Sequence, residues 1–114
     1  DAIGNFQEAT REPKSRSAAH LFLARCFVNK SWMDEAMSTL EKGLEKHAEP
    51  DDAVGKEMRY ELMSVKLQIA KEKRDAELAE QAQDLASELL QTDINYKDIR
   101  EKMDEVRSLS DELK

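Results

Sequence analysis

The chain has 114 residues, of which 39% are apolar and 38% are charged, and its formal net charge is −7. An acidic chain with no patch of Lys and Arg among aromatic residues is not expected to bind nucleic acid. No apolar stretch approaches the roughly 20 residues of a membrane span, so membrane insertion is not expected either. Cys26 is the only cysteine, which excludes an internal disulfide and leaves the redox compartment undefined.

The composition favours helices, because there are only three Gly and two Pro and no alternating β-branched run. Residues 1–11 are predicted to form a first helix, with Ile3, Phe6 and Ala9 on one side. Pro13 ends it, since the residue before a proline is disfavoured in the helical region. The chain begins at Asp1 in the middle of this pattern, which indicates a fragment or a processed product.

Two further helices are predicted between residues 15 and 47. Ser15 or Ser17 can cap the first, and Ser31 with Asp34 resembles a capping arrangement for the second. Ala24 and Gly43 are small residues, placed where the two helices need to approach closely. The apolar stripes are His20, Leu23, Ala24 and Phe27 in one helix, and Met33, Ala36, Met37, Leu40, Gly43 and Leu44 in the other.

The remainder of the chain also shows helical periodicity. After a break at residues 48–52, where Asp51 or Asp52 can cap, a helix is predicted over residues 54–71. Residues 71–80 are almost wholly charged and form either a turn or a solvated helix end. A further helix ends at Thr92, and a last one, capped by Asn95 with Asp98, runs to about Leu113.

A motif in the first part of the chain repeats after 34 residues. Ala2-x3-Phe6-x2-Ala9 recurs as Ala36-x3-Leu40-x2-Gly43, and His20-x2-Leu23-Ala24-x2-Phe27 precedes the second copy. This period and pattern resemble the tetratricopeptide repeat. The resemblance implies an all-α, right-handed superhelix of antiparallel helix pairs, with about five to six helices. Its parts would be the second helix of a truncated repeat (1–14), a complete repeat (15–49), an expanded degenerate repeat (50–93) and a capping helix (94–114).

By the same resemblance, the first helix of each pair lines a concave groove that binds proteins. The groove-facing positions would be Leu21, Arg25, Val28, Asn29, Met58, Glu61, Val65 and Gln68. We therefore expect a non-catalytic scaffold that binds a peptide or helix of another protein. The alternative is a self-assembling module, a homo-oligomer that packs through residues 1–9 and the apolar stripe of residues 99–109.

No residue pattern indicates catalysis, a metal or a cofactor. His20 lies on an apolar stripe, where a packed core histidine is the simpler interpretation, and Cys26 lies about 240° away on an ideal helix. The cluster of His47, Glu49, Asp51 and Asp52 has no known metal-ligand spacing, and helix capping explains its acids. Neither a Ser-His-Asp order nor a glycine-rich phosphate loop was identified.

Overall fold

A computed structural model describes residues 16–47 and 52–114 of the chain. These residues form five helices and no strand, which confirms the all-α prediction. The predicted helix over residues 1–11 lies outside the described part. The helices are α1 (Arg16–Asn29), α2 (Met33–Lys46), α3 (Ala53–Lys73), α4 (Ala76–Thr92) and α5 (Ile99–Leu113).

The chain divides into two compact units, Asp1–Met58 and Arg59–Lys114. Helix α3 crosses the division, with its first residues in one unit and its remainder in the other.

The first unit contains the antiparallel pair of α1 and α2. Two contacts show that the helices run antiparallel. Ser17, at the start of α1, contacts His47, at the end of α2, and the rings of Phe27 and Trp32 stack at the opposite end of the pair. The apolar residues of the pair pack inward, as the periodicity predicts. The buried residues are Ala19, Leu21, Leu23, Ala24, Phe27, Ala36, Leu40 and Gly43.

The turn between α1 and α2 differs from the prediction. Ser31 was expected to cap α2, but the capping position is Trp32, and no side chain forms a capping hydrogen bond there. Ser31 has a φ of 63°, in the left-handed region, which reverses the chain. The Trp32 N–H then donates to the carbonyl of Phe27 at 2.8 Å, so the turn is closed by backbone bonds.

The second unit contains α4, α5 and the part of α3 from Arg59 onward. The charged segment over residues 71–80 contains the end of α3, a turn at residues 74–75 and the start of α4. Arg74 has a φ of 54°, and the Asp75 side chain caps α4 by accepting from the Leu78 N–H at 3.1 Å. The core of this unit is one cluster, formed by Met63, Leu67, Ala70, Ala79, Ala82, Ala86, Leu89, Ile99, Met103, Val106 and Leu109.

The last helix begins later than predicted, at Ile99 and not directly after Asn95. The preceding residues form turns closed by the Tyr96 N–H to the Asp93 carbonyl and by the Ile99 N–H to the Tyr96 carbonyl, both at 3.0 Å. Lys97 has a φ of 44°, which interrupts helical geometry at that point. The predicted Asn95 cap is therefore wrong, and Tyr96 lies outside the helix.

Candidate functional site

The groove positions predicted on the first unit differ in exposure. Leu21 and Met58 are buried, Val28 is half-buried and Asn29 is exposed. Arg25 is partly exposed, and its Nη2 donates to Glu57 Oε2 at 2.8 Å. The accessible surface of this set is therefore provided by α1, near its C-terminal end.

The groove positions predicted on the second unit all lie on α3. Val65 is buried, Glu61 is half-buried and Gln68 is exposed, with its Nε2 donating to Glu72 Oε1 at 2.9 Å. Of this set, Glu61 and Gln68 have polar atoms within reach of a ligand. The expectation that all eight positions share one groove stays a prediction.

The structure also contains a cleft that the sequence did not indicate. It lies along the seam between α1 and α2, has a volume of about 300 Å³ and is open to solvent. Helix α1 contributes His20, Leu23 and Phe27, three positions at helical spacing that form its floor. Helix α2 contributes Glu35, Ser38, Thr39 and Lys42 along the other side.

The two charges of this cleft mark its ends. Glu35 and Lys42 are seven residues apart on α2, so the helical rise places them about 10.5 Å apart along the axis. Both side chains are exposed. Because the helices are antiparallel, Glu35 lies toward the turn and Lys42 toward the end where Gly43 contacts His20. The cleft therefore has a floor of one imidazole and two apolar side chains, hydroxyls at its centre and opposite charges at its two ends.

Trp32 stands at the turn end of the first unit. Its side chain is 49% exposed. Its ring stacks on Phe27 with centroids 5.8 Å apart, and the Lys30 ammonium lies 5.6 Å from its centroid. Phe27 is itself buried but lines the cleft, so the exposed Trp32 ring lies next to the cleft floor at its turn end.

A hydrogen-bonded chain joins Ser17, His47 and Asp52, although no such order was found in the sequence. Ser17 Oγ lies 2.5 Å from His47 Nδ1, and His47 Nε2 lies 2.8 Å from Asp52 Oδ1. Asp52 also accepts from the Gly55 N–H at 2.8 Å, which confirms it as a cap for α3. That backbone bond, followed by the His47 side chain, lowers the pKa of the Asp52 carboxyl.

This chain of contacts connects three helix ends within the first unit. Ser17 lies in the first turn of α1, His47 follows α2 directly and Asp52 precedes α3. The His47 imidazole therefore bridges the Ser17 hydroxyl and the Asp52 carboxylate, and this carboxylate also accepts a hydrogen bond from the N-terminus of α3. The arrangement serves to fix helix ends, because Asp52 is already committed to the Gly55 N–H.

In the second unit, polar and aromatic side chains cluster before α5. The Tyr60 hydroxyl donates to Asp98 Oδ1 at 2.5 Å, and the Tyr60 and Tyr96 rings meet edge-on with centroids 6.0 Å apart. The Lys97 ammonium lies 4.8 Å and 5.6 Å from the two ring centroids. These contacts attach the turn before α5 to α3.

Cys26 is a free thiol of intermediate burial. Over residues 16–47 and 52–114, no group of three or more His, Cys, Asp or Glu side chains could hold a metal ion. No helix in this part of the chain combines the length and apolar character needed to cross a membrane. Glu49 and Asp51 lie outside the described residues.

Comparisons with models of protein families, with curated proteins and with solved structures gave no match to this chain.

Proposed function

We propose that this chain is a non-catalytic protein-interaction scaffold of tetratricopeptide-like helix pairs, which binds a peptide or helix of another protein. One observation carries the proposal. The α1–α2 pair buries the positions of the repeat-like motif, Ala24, Ala36, Leu40 and Gly43, while another side of α1 stays accessible. In repeat proteins, such a division between a packed and an accessible helix face supports binding.

The proposed contact surface on the first unit consists of Arg25, Val28 and Asn29. It combines a guanidinium, a branched apolar side chain and an amide, so it suits a peptide of mixed polarity. Arg25 is held by Glu57, which orders the guanidinium. On the second unit, Glu61 and Gln68 are the corresponding accessible side chains.

A peptide-display selection with the full chain as bait tests this function. Selected peptides are then measured against an Arg25→Gln, Asn29→Ala double variant. The matched control is Arg107→Gln with Ser108→Ala, two exposed positions on α5 where the same charge and one polar side chain are removed. Loss of binding by roughly tenfold or more in the first variant alone supports the proposed surface. Equal binding to both variants would mean that the peptide binds outside Arg25 and Asn29. Failure to select any peptide argues against a peptide-binding scaffold.

Self-assembly is the alternative function. On the described part of the chain, the apolar residues of α5, Ile99, Met103, Val106 and Leu109, are buried in the core of the second unit. This helix therefore presents no apolar stripe of the kind expected for a contact with a second copy. A concentration series by light scattering tests the alternative, and a monomer at every concentration rules it out.

A further inference from the structure

The cleft between α1 and α2 has the features of a small binding surface separate from Arg25, Val28 and Asn29. Its floor includes Leu23 and Phe27, and its length is set by Glu35 and Lys42. Within the described part of the chain, neither of these two charges forms a side-chain ion pair. Opposite charges two helical turns apart are too distant to neutralise each other directly.

We propose that this cleft is a docking surface for an amphipathic helix of a partner protein, with an apolar residue flanked by one basic and one acidic residue. The proposal extends the scaffold function to a second surface and names the partner's chemistry. It rests on the proposed function only in that both describe protein binding.

Charge complementarity fixes the pattern of the partner. A helix lying along the seam would place Lys or Arg beside Glu35 and Asp or Glu beside Lys42, seven residues apart. The residue between them would face Leu23 and the hydroxyls of Ser38 and Thr39. A volume of about 300 Å³ accommodates one aliphatic side chain and the adjacent backbone. The small size of the cleft predicts modest affinity, because few side chains would be fully desolvated.

Trp32 extends the surface in the direction of the turn. It is half-exposed and stacked on a residue of the cleft floor, so it can cover the end of a bound helix. Exposed tryptophan contributes much contact area for little conformational entropy. Trp32 is also the only tryptophan of the chain. Its fluorescence therefore reports directly on whether this surface is occupied.

The test is a charge-exchange selection. A display library of alanine-based helical peptides without Trp or Tyr, randomised along one face, is selected separately on the wild-type chain, Glu35→Lys and Lys42→Glu. We expect the peptides selected on wild type to carry one basic and one acidic residue around an apolar residue. Those selected on Glu35→Lys should carry two acidic residues, and those selected on Lys42→Glu two basic residues. The best wild-type peptide should shift Trp32 emission and bind each variant roughly fivefold to tenfold more weakly. This loss should diminish at high salt. Circular dichroism checks that the variants remain helical.

Several results would overturn the proposal. One is that all three selections yield the same peptides, and another is that the selected peptides bind without changing Trp32 emission. A third is that binding is lost in Arg25→Gln, Asn29→Ala but is unaffected in Glu35→Lys and Lys42→Glu, which would leave the proposed function intact. Loss of binding in the two cleft variants alone would support the cleft and exclude Arg25 and Asn29 as the binding surface.

Two other occupants are tested directly. If light scattering finds a dimer that Glu35→Lys dissociates, a second copy fills the cleft and the partner proposal fails. Accessibility is measured by maleimide labelling of Ser38→Cys against Glu45→Cys, both exposed positions of α2, in a Cys26→Ala background. Comparable rates support an open cleft. Labelling at position 38 that is more than tenfold slower would mean that the chain itself covers the cleft, which overturns the proposal.

Discussion

Gly43 and His20 meet so closely across the α1–α2 pair that a Cβ atom on Gly43 would lie 2.9 Å from the His20 Cβ. The same atom would lie 2.3 Å from the terminal carbon of Met58. The Met58 side chain is flexible and can move aside, but the His20 Cβ is fixed to the backbone of α1. The two helices can therefore approach this closely only because position 43 has no side chain.

Gly43→Ala should destabilise the chain, although alanine is the better helix former. The intrinsic gain is about 1 kcal/mol, whereas forcing apart a packed contact costs typically 1–3 kcal/mol. Gly43→Leu should cost more, because it adds further atoms to the same contact. Urea unfolding measures both changes. Ser38→Ala, at an exposed position of the same helix, is the control and should change stability by less than about 0.5 kcal/mol. Equal stability of the wild type and Gly43→Leu would contradict the packing described.

Leu40→Ala should destabilise the first unit strongly. Leu40 is fully buried, so truncation removes apolar contacts and leaves a cavity, at a cost of roughly 2–5 kcal/mol. The same substitution at Leu44, which is only half-buried on the same helix, should cost clearly less. Chemical denaturation of the two variants in parallel provides the comparison. Similar losses at both positions would mean that the burial of Leu40 does not determine its contribution.

The packing of α1 and α2 followed from sequence because it depends on short-range periodicity. The spacing of Ala24, Ala36, Leu40 and Gly43 identified both the helices and their contact faces, and all four residues are buried. The start of α5 was misplaced because Lys97, a residue with no turn preference, adopts a left-handed backbone. No composition rule predicts such a conformation at a lysine.

The candidate sites were less predictable for a different reason. Glu35 and Lys42 are common surface residues, and their relation to Leu23 becomes evident only when two helices are placed side by side. Ser17 and His47 are thirty residues apart, so their contact depends on how the helix ends meet. Asp52 had a local signal, its position before a helix, which predicted Asp51 or Asp52 as the cap, and the structure shows Asp52 accepting from the Gly55 N–H.

Asp52 should make stability depend on pH in the acidic range. Its pKa in the folded chain is lowered from 3.8, mainly by the Gly55 N–H and next by His47. A lowered pKa means that the ionised form stabilises the fold. The contribution is complete above about pH 3.8 and is lost as the pH falls through the lower, folded-state pKa. Asp52→Asn keeps a capping oxygen but removes the charge, so it should reduce this pH dependence.

Thermal unfolding at pH 6 and pH 3 measures the Asp52 effect. The drop in Tm between the two pH values should be smaller for Asp52→Asn than for wild type. Glu80→Gln, which removes an exposed carboxylate of α4, controls for the general change in net charge. An identical drop in wild type and Asp52→Asn would show that this carboxylate does not stabilise the folded chain.

Glu105 should titrate below its usual range because of two lysines. The hydrogen bond from Lys71 is the main cause of its lowered pKa, and Lys102, at 3.3 Å, adds to it. In Lys71→Gln, the Glu105 pKa should rise toward 4.5 as measured by NMR titration of the side-chain carboxyl. Because the pair is partly exposed, the change in unfolding free energy should be no more than about 1 kcal/mol. An unchanged Glu105 pKa would mean that the bond does not persist in solution.

The Tyr60–Asp98 hydrogen bond should couple the turn before α5 to α3, and a double-mutant cycle can isolate it. Tyr60→Phe removes only the hydroxyl that donates to Asp98. Asp98→Ala removes the acceptor, whose side chain makes no capping bond to α5. A hydrogen bond to a carboxylate contributes about 1.5–3 kcal/mol when it persists. The sum of the two single-variant losses in unfolding free energy should therefore exceed the loss in the double variant by about that amount. Additive losses would mean that the hydroxyl and the carboxylate are each solvated, and that the aromatic and Lys97 contacts alone position the turn.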